Sequence, residues 1–191
     1  MRASSQNIEW TIELSKAFAT DSGRQVRLQE VGAPSMNLAD TEMPEFAART
    51  VEAALSSPGL CGITWWCSHD VSRSLGDYKD LEYSLGLLDV DNAVKPLGRR
   101  FAELVADARG SARDRVLART VGVVVDVDEH DLPIARADLA PGGVVFERWH
   151  ELRRQGEPVT VVTSRTAADP ASLAKRGITD VHAVPSAGSA R

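Results

Sequence analysis

Three short apolar segments near the end of the chain alternate with two helical segments, and this order most constrains the fold. The strands and helices are expected, in chain order, at Val121–Val127, Gly143–Gln155, Val159–Thr163, Pro170–Arg176 and Asp180–Val184. Asp169 stands where an N-cap belongs, and Gly156 and Gly177 stand where helices end. Neighbouring strands joined through helices run parallel, so the order predicts a small parallel α/β unit.

The part of the chain before this unit also mixes helices and strands. The predicted elements are a helix at Ile8–Ala19, a strand at Gln25–Val31, a helix at Pro44–Ser56, a strand at Leu60–Cys67 and a helix at Pro96–Ala108. Between the last two lies a long segment, 68–95, without clear periodicity. A connection of that length in a compact domain is usually functional or contains short helical turns. A polar, arginine-rich stretch at 106–119 indicates the boundary between two domains.

Charge and composition exclude several classes of function. The chain of 191 residues has 22 Lys plus Arg against 27 Asp plus Glu, a net charge of -5. This balance disfavours nucleic acid and anionic membranes as partners. No apolar run is long enough to span a bilayer, and the first residues lack the apolar core of a signal peptide, so a cytoplasmic location is expected. The two cysteines form no metal or disulfide set, and neither a metal nor another cofactor is expected.

Glu30 is the first candidate for chemistry. It lies near the end of a predicted strand and is followed by a turn with Gly32 and Pro34. Because side chains alternate along a strand, Val26, Leu28 and Glu30 are expected to share one face. If that face lines a barrel, Glu30 stands at the mouth where barrel enzymes carry their catalytic groups. The alternative is a solvated glutamate at a strand end.

The second predicted strand ends in two adjacent tryptophans. Alternation places Thr64 and Trp66 on one face and Trp65 on the other. A tryptophan at a barrel mouth offers a flat apolar platform for a sugar ring. Packing is the alternative for both tryptophans and is favoured for Trp65. His69 and Asp70, which follow directly, carry groups that bind hydroxyls but that also occur in ordinary turns.

These segments together resemble a known family. Residues 28–34, which precede 62–70 by about thirty residues, look like the seventh and eighth strands of a clan A glycoside hydrolase barrel, above all of family 5 enzymes of actinobacterial type. Residues 81–89 and Lys95-Pro96 resemble the eighth loop and last helix of such enzymes. The resemblance implies an α/β chain with a partial (β/α)8 TIM-barrel segment at 1–108, followed by a small accessory α/β domain at 120–185. The small, polar end of the chain, 186–191, is expected to be a disordered tail.

Carried over residue by residue, the resemblance makes Glu30 the catalytic nucleophile and Trp66 the platform under the sugar. The Trp66-Cys67 peptide falls where the family often has a cis bond, and His69 and Asp70 become sugar contacts. The implied activity is retaining hydrolysis of β-linked mannosides or glucosides. In that mechanism one carboxylate attacks the anomeric carbon, while a second one roughly 5–5.5 Å away protonates the leaving oxygen.

The second carboxylate is where the sequence departs from the family. The acid/base glutamate of these enzymes follows an asparagine in the fourth strand, and this sequence contains no Asn-Glu pair. The chain therefore resembles the C-terminal portion of a longer glycosidase and is not expected to hydrolyse glycosides alone. The alternatives are a non-catalytic carbohydrate-binding or oligomerisation module and, by fold analogy only, a nucleotide-binding protein built on the second domain. Exposed strand edges favour a homo-oligomer.

Overall fold

The computed structural model describes residues 2–19, 23–33, 38–111 and 115–185, with side chains from residue 6 onward. The predicted disordered tail, 186–191, and Pro34 of the predicted turn lie outside the described residues. The helices and strands are, in chain order, α1 (Arg2–Ala19), β1 (Val26–Val31), α2 (Met43–Ser56), β2 (Leu60–Trp65), α3 (Pro96–Ser111), β3 (Val121–Val125), α4 (Val144–Arg154), β4 (Val159–Thr163), α5 (Ser164–Ala167), α6 (Pro170–Arg176) and β5 (Asp180–His182). Short 3-10 helices lie at Asp80–Ser84 and Arg136–Leu139.

The chain forms two compact units. The first comprises Met1–Ser5, Arg27–Ser56 and Leu60–Val116, and the second comprises Gln6–Val26, Ser57–Gly59 and Leu117–Arg191. The change from one unit to the other after Val116 lies within the arginine-rich stretch. The predicted ranges, 1–108 and 120–185, differ from these units at the N-terminal end, because most of α1 groups with the second unit. The reason is that side chains of α1 pack in one apolar core with β3, β4 and α4.

The first unit is built on a two-stranded sheet. β1 and β2 pair with each other, and α2 connects them along the chain. Trp65 is 8% exposed and packs with its ring centroid 6.4 Å from Phe46 of α2 and 5.2 Å from Phe101 of α3. The packing prediction for Trp65 is therefore confirmed. Two strands do not close a barrel. Over its described residues, the first unit is therefore consistent with the predicted partial barrel segment.

The second unit is built on a three-stranded parallel sheet with the strand order β4-β3-β5. Its register pairs Val121 with Val159 on one side and with Asp180 on the other. Every residue of β3 and β4 is buried. The predicted parallel α/β unit is confirmed, and the reason is local: uninterrupted valine-rich runs favour strands buried on both faces.

Apolar cores cover both faces of this sheet. On one face, Val123 packs with Trp149 of α4 and Trp10 of α1, whose ring centroids are 5.4 Å apart. On the other face, Val124 and Ile178 belong to a separate cluster. Helix α1 is thus an integral part of the second unit's core.

Charged residues also hold α1 in the second unit. Arg119 and Arg153 each place a nitrogen 2.9 Å from Glu9 of α1. One turn further on, Glu13 is fully buried and accepts a hydrogen bond of 2.6 Å from the Thr160 hydroxyl of β4. Buried carboxylates are tolerated only when they are paired and hydrogen-bonded, so these contacts specify where α1 docks.

Within the described ranges, no helix combines the length and apolar character needed to cross a bilayer. In the same residues, no group of three or more His, Cys, Asp and Glu side chains is arranged to hold a metal ion.

Candidate active site

The backbone of Glu30 is unusual for a strand residue. Its φ angle is +58°, in the left-handed region that few residues other than glycine adopt. Val26 and Leu28 are half-buried, whereas Glu30 is exposed and Val31 is buried. The prediction that Glu30 shares a face with Val26 and Leu28 stays a prediction, because it assumed a regular strand at this residue. The positive φ interrupts the regular two-residue alternation of β1 at Glu30, and the glutamate side chain is exposed.

A side-chain hydrogen bond identifies one face of the two-stranded sheet. Arg27 Nε donates to Thr64 Oγ1 over 3.1 Å, so these two residues share one face of the sheet. Trp65, next to Thr64, points the other way, towards α2 and α3. The face of Arg27 and Thr64 is therefore opposite to the one that α2 and α3 cover at Trp65.

Trp66 lies at the same end of the sheet as Glu30. Its backbone N–H donates to the carbonyl oxygen of Val31 over 2.8 Å. Gly32 allows this approach, because a Cβ atom there would lie 2.5 Å from the carbonyl oxygen of Trp66. The Trp66 side chain is 48% exposed, and the Trp66-Cys67 peptide bond is cis, as the family resemblance implies. The structure therefore brings together the two residues on which the sequence prediction depends.

His69 is exposed, and both of its ring nitrogens have protein partners. Nδ1 lies 3.1 Å from the hydroxyl of Ser68, and Nε2 lies 3.1 Å from Oδ1 of Asn92. Asn92 has a φ of +65° in a turn that the carboxylate of Asp89 stabilises by accepting the backbone N–H of Ala93. The imidazole is thus held in one orientation at the surface of the loop. Sequence reasoning did not identify Asn92, because 23 residues separate it from His69.

Asp70 is largely enclosed and bound to other protein groups. Its two oxygens lie 2.9 and 3.0 Å from Nζ of Lys95, and Oδ1 also accepts the backbone N–H of Gly86 over 2.7 Å. The side chain is 14% exposed. Its predicted contact with sugar stays a prediction. The ion pair with Lys95 has no local sequence signal, because the two residues are 25 positions apart.

The Cys67 thiol adds no acid or base at neutral pH. Burial raises its pKa above the usual value, and Sγ donates to the backbone carbonyl oxygen of His69 over 3.0 Å. The exposed carboxylate of Glu30 and the half-exposed indole of Trp66 lie at this end of the sheet. Such a pair has the chemistry to hold the apolar face of a sugar and to attack or deprotonate a bound group.

No family model matches the chain, and no curated protein does. Solved structures do. GH5_18 from Bifidobacterium longum subsp. longum ATCC 55813 is 46% identical with a TM-score of 0.87 over 94% of this chain and 42% of that one, and a variant of that enzyme is solved with Manβ1-4GlcNAc. GH5_18 from Streptomyces cattleya in complex with GlcNAc is 45% identical with a TM-score of 0.85, over 95% and 43% of the two chains.

A more distant match shows the fold alone. The exo-β-1,4-mannosidase from Opitutaceae bacterium strain TAV5 is 23% identical, with a TM-score of 0.61 over 83% of this chain and 28% of that one. The chain thus spans less than half the length of the solved enzymes that it matches. Identity above 40% over nearly the whole chain, together with the site geometry, supports one conclusion. The chain belongs to glycoside hydrolase family 5 and is a C-terminal portion of such an enzyme.

Proposed function

We propose that this chain carries the nucleophile and the sugar platform of a retaining glycosidase that acts on β-linked mannosides. One observation carries the proposal: Glu30, exposed and at positive φ, and Trp66, half-exposed, lie at the same end of one small sheet. Non-glycine residues held at positive φ cluster at functional sites, where the surrounding structure has to stabilise them. The Manβ1-4GlcNAc bound to the solved relative favours mannosides over glucosides.

In the proposed reaction, the Glu30 carboxylate attacks the anomeric carbon while the bond to the leaving oxygen breaks. A second carboxyl group, roughly 5–5.5 Å away and protonated at first, donates its proton to that oxygen; the resulting carboxylate then removes a proton from the water that hydrolyses the glycosyl-enzyme. The second carboxylate comes from another part of the enzyme, since this sequence has no Asn-Glu pair. We therefore expect no hydrolysis by this chain alone.

Trp66 has the complementary role. Its indole offers an apolar face to the C–H side of the sugar ring, next to the strand end that carries Glu30. His69, held by Ser68 and Asn92 at the surface, is proposed as a hydrogen-bonding contact further out on the sugar. Asp70 stays a predicted sugar contact, and its oxygens, which are directed to Lys95 and Gly86, are also proposed to hold the loop.

The test is a chimera in which the part of the Streptomyces cattleya enzyme that this chain does not cover precedes this chain. We expect the chimera to release mannose from Manβ1-4GlcNAc. Glu30→Gln should lower kcat/KM by ~10⁴-fold or more, because a missing nucleophile removes the covalent route. Glu103→Gln, a change of an exposed carboxylate on α3 of the same unit, is the matched control and should leave turnover unchanged.

Two outcomes would contradict the proposal. A 2-fluoro-mannosyl inhibitor that forms a covalent adduct should label the peptide containing Glu30, and a label on another carboxylate would reject the nucleophile assignment. If the chimera binds Manβ1-4GlcNAc without releasing mannose, and Glu30→Gln changes nothing, the non-catalytic binding module is the better description. The absence of an Asn-Glu pair is the observation that favours that second candidate.

A further inference from the structure

A nearly enclosed ion pair closes the loop that follows Trp66. Lys95 Nζ reaches both oxygens of Asp70 and also donates to the carbonyl oxygen of Ser84 over 3.0 Å. The side chains of Lys95 and Asp70 are 20% and 14% exposed. Charge-assisted hydrogen bonds of this length, shielded from water, hold their partners more firmly than neutral or exposed contacts.

The pair acts on the segment directly behind Trp66. Residues 67–70 run beside residues 85–88, with the Leu88 N–H donating to the carbonyl oxygen of Ser68 over 2.9 Å and the Asp70 N–H donating to the carbonyl oxygen of Leu88 over 2.9 Å. His69 and Leu88 form a parallel bridge. Gly86 lies so close to the backbone of His69 and Asp70 that no side chain fits there. Asp70 therefore joins residues 67–70 to residues 85–88 twice: its backbone N–H donates to Leu88, and its carboxylate accepts the N–H of Gly86.

The Trp66 side chain depends on this backbone for its orientation. The indole is 48% exposed, so packing against neighbours covers only about half of it. The backbone N–H of Trp66 donates to Val31, and the residues directly after Trp66, 67–70, are the segment that Asp70 joins to 85–88. We propose that the Asp70–Lys95 ion pair is a positioning element, which fixes Trp66 as a sugar platform by closing the loop between β2 and α3.

The position of Trp66 is measurable without any sugar. Trp10, Trp65 and Trp149 are 4%, 8% and 0% exposed, so acrylamide quenching of tryptophan fluorescence in the full chain reports mainly on Trp66. We expect Asp70→Asn and Lys95→Met each to increase the quenching, because the loosened loop exposes more of the indole. Trp66→Phe in each background should remove the increase. Lys95→Arg keeps the charge and the reach and should retain most of the wild-type quenching.

The matched control is again Glu103→Gln, which breaks an exposed ion pair of the same unit and should leave quenching unchanged. If Asp70→Asn does not fold, Lys95→Met carries the test, because Asp70 there keeps the Gly86 amide. If a variant folds with a lowered melting temperature and still shows wild-type quenching, the ion pair stabilises the loop without positioning Trp66, and the proposal is overturned.

The role of Trp66 as a sugar platform rests on the proposed function, and a separate measurement tests it. Manβ1-4GlcNAc should protect Trp66 of the wild-type chain from acrylamide, and Lys95→Met should weaken that binding about tenfold, the equivalent of about 1.4 kcal/mol. If quenching rises in the variants but the disaccharide protects neither protein, the positioning role stands and the proposed sugar contact fails. If the disaccharide protects both proteins equally and quenching does not change, the positioning role fails and the sugar contact stands.

Discussion

The two sheets of this chain have similar strands but different surroundings. Every residue of β3 and β4 is buried, whereas β1 and β2 expose or half-expose all but their last residues, Val31 and Trp65. Strands β3 and β4 have apolar cores on both faces: α1 and α4 cover one face, and the region of α5 and α6 covers the other. Strands β1 and β2 contact helices α2 and α3 on one face, where Trp65 packs. Over the described residues, the three-stranded sheet is covered on both faces, and the two-stranded sheet has the extent of a barrel segment.

The comparison separates stability from chemistry. The fully buried valines of the three-stranded sheet and Trp149 of α4 stabilise the second unit by apolar burial. The two-stranded sheet carries Glu30 at positive φ and a half-exposed Trp66. Substitutions of the same chemical type in the two units should therefore have opposite consequences for folding and for activity.

The largest contrast is expected between two tryptophans. Trp149→Ala removes a fully buried side chain, and we expect it to lower the free energy of unfolding by about 4 kcal/mol, since a large cavity remains. Trp66→Ala removes a half-exposed side chain and should cost less than about 1 kcal/mol. Urea unfolding followed by circular dichroism measures both. Equal costs would mean that Trp66 is a core residue and that the two sheets do not differ in this way.

A second contrast concerns two glutamates. Glu13→Gln takes the charge from a buried carboxylate that lies 2.9 Å from Lys16 and 2.6 Å from the Thr160 hydroxyl, and it should destabilise the second unit by about 3 kcal/mol. Glu30→Gln keeps the shape of an exposed side chain and should change stability by less than about 0.5 kcal/mol. The same unfolding experiment applies. A stability loss at Glu30 as large as that at Glu13 would undermine its assignment as a site residue.

The smallest expected effect is a pH dependence confined to the second unit. Burial lowers the pKa of Lys16 below its usual value of 10.5, with Glu13 acting in the opposite direction. Between the two pKa values the unfolded chain holds the proton that the folded chain has released, so this group's contribution to stability rises with pH and is complete above 10.5.

That contribution is isolated by comparison with Lys16→Met. The difference in unfolding free energy between wild type and variant should shift in favour of the wild type as pH approaches 10.5 from below. A difference that stays constant with pH, or that shifts towards the variant, would show that Lys16 keeps its proton in the folded state.

Much of the second unit was predictable from the sequence because its signals are local. The bounds of β4 and α6 agree with the prediction to the residue. Asp169 caps α6 by accepting the N–H of Ala171, and Gly177 ends it with a φ of +71°. Apolar runs, caps and glycine stops act within a few residues of the chain, and they need no distant partner.

The loop at 68–95 shows where local signals end. It has no periodicity, yet the structure orders it through pairs that are distant in sequence, such as His69 with Asn92 and Asp70 with Lys95. Helix α1 shows the same limit. Its amphipathic pattern predicted a helix, but its place in the second unit depends on Glu9 and Arg119, which are 110 residues apart.

Residue type and spacing were sufficient to predict the helices and strands, the parallel α/β unit, the family resemblance, and Glu30 and Trp66 as candidate site residues. The backbone conformation of Glu30 depends on tertiary packing, because a glutamate has no local preference for positive φ. The tertiary structure also decided that Asp70 is held by Lys95. Contacts between distant residues depend on how the whole chain packs, and no window of a few residues contains that information.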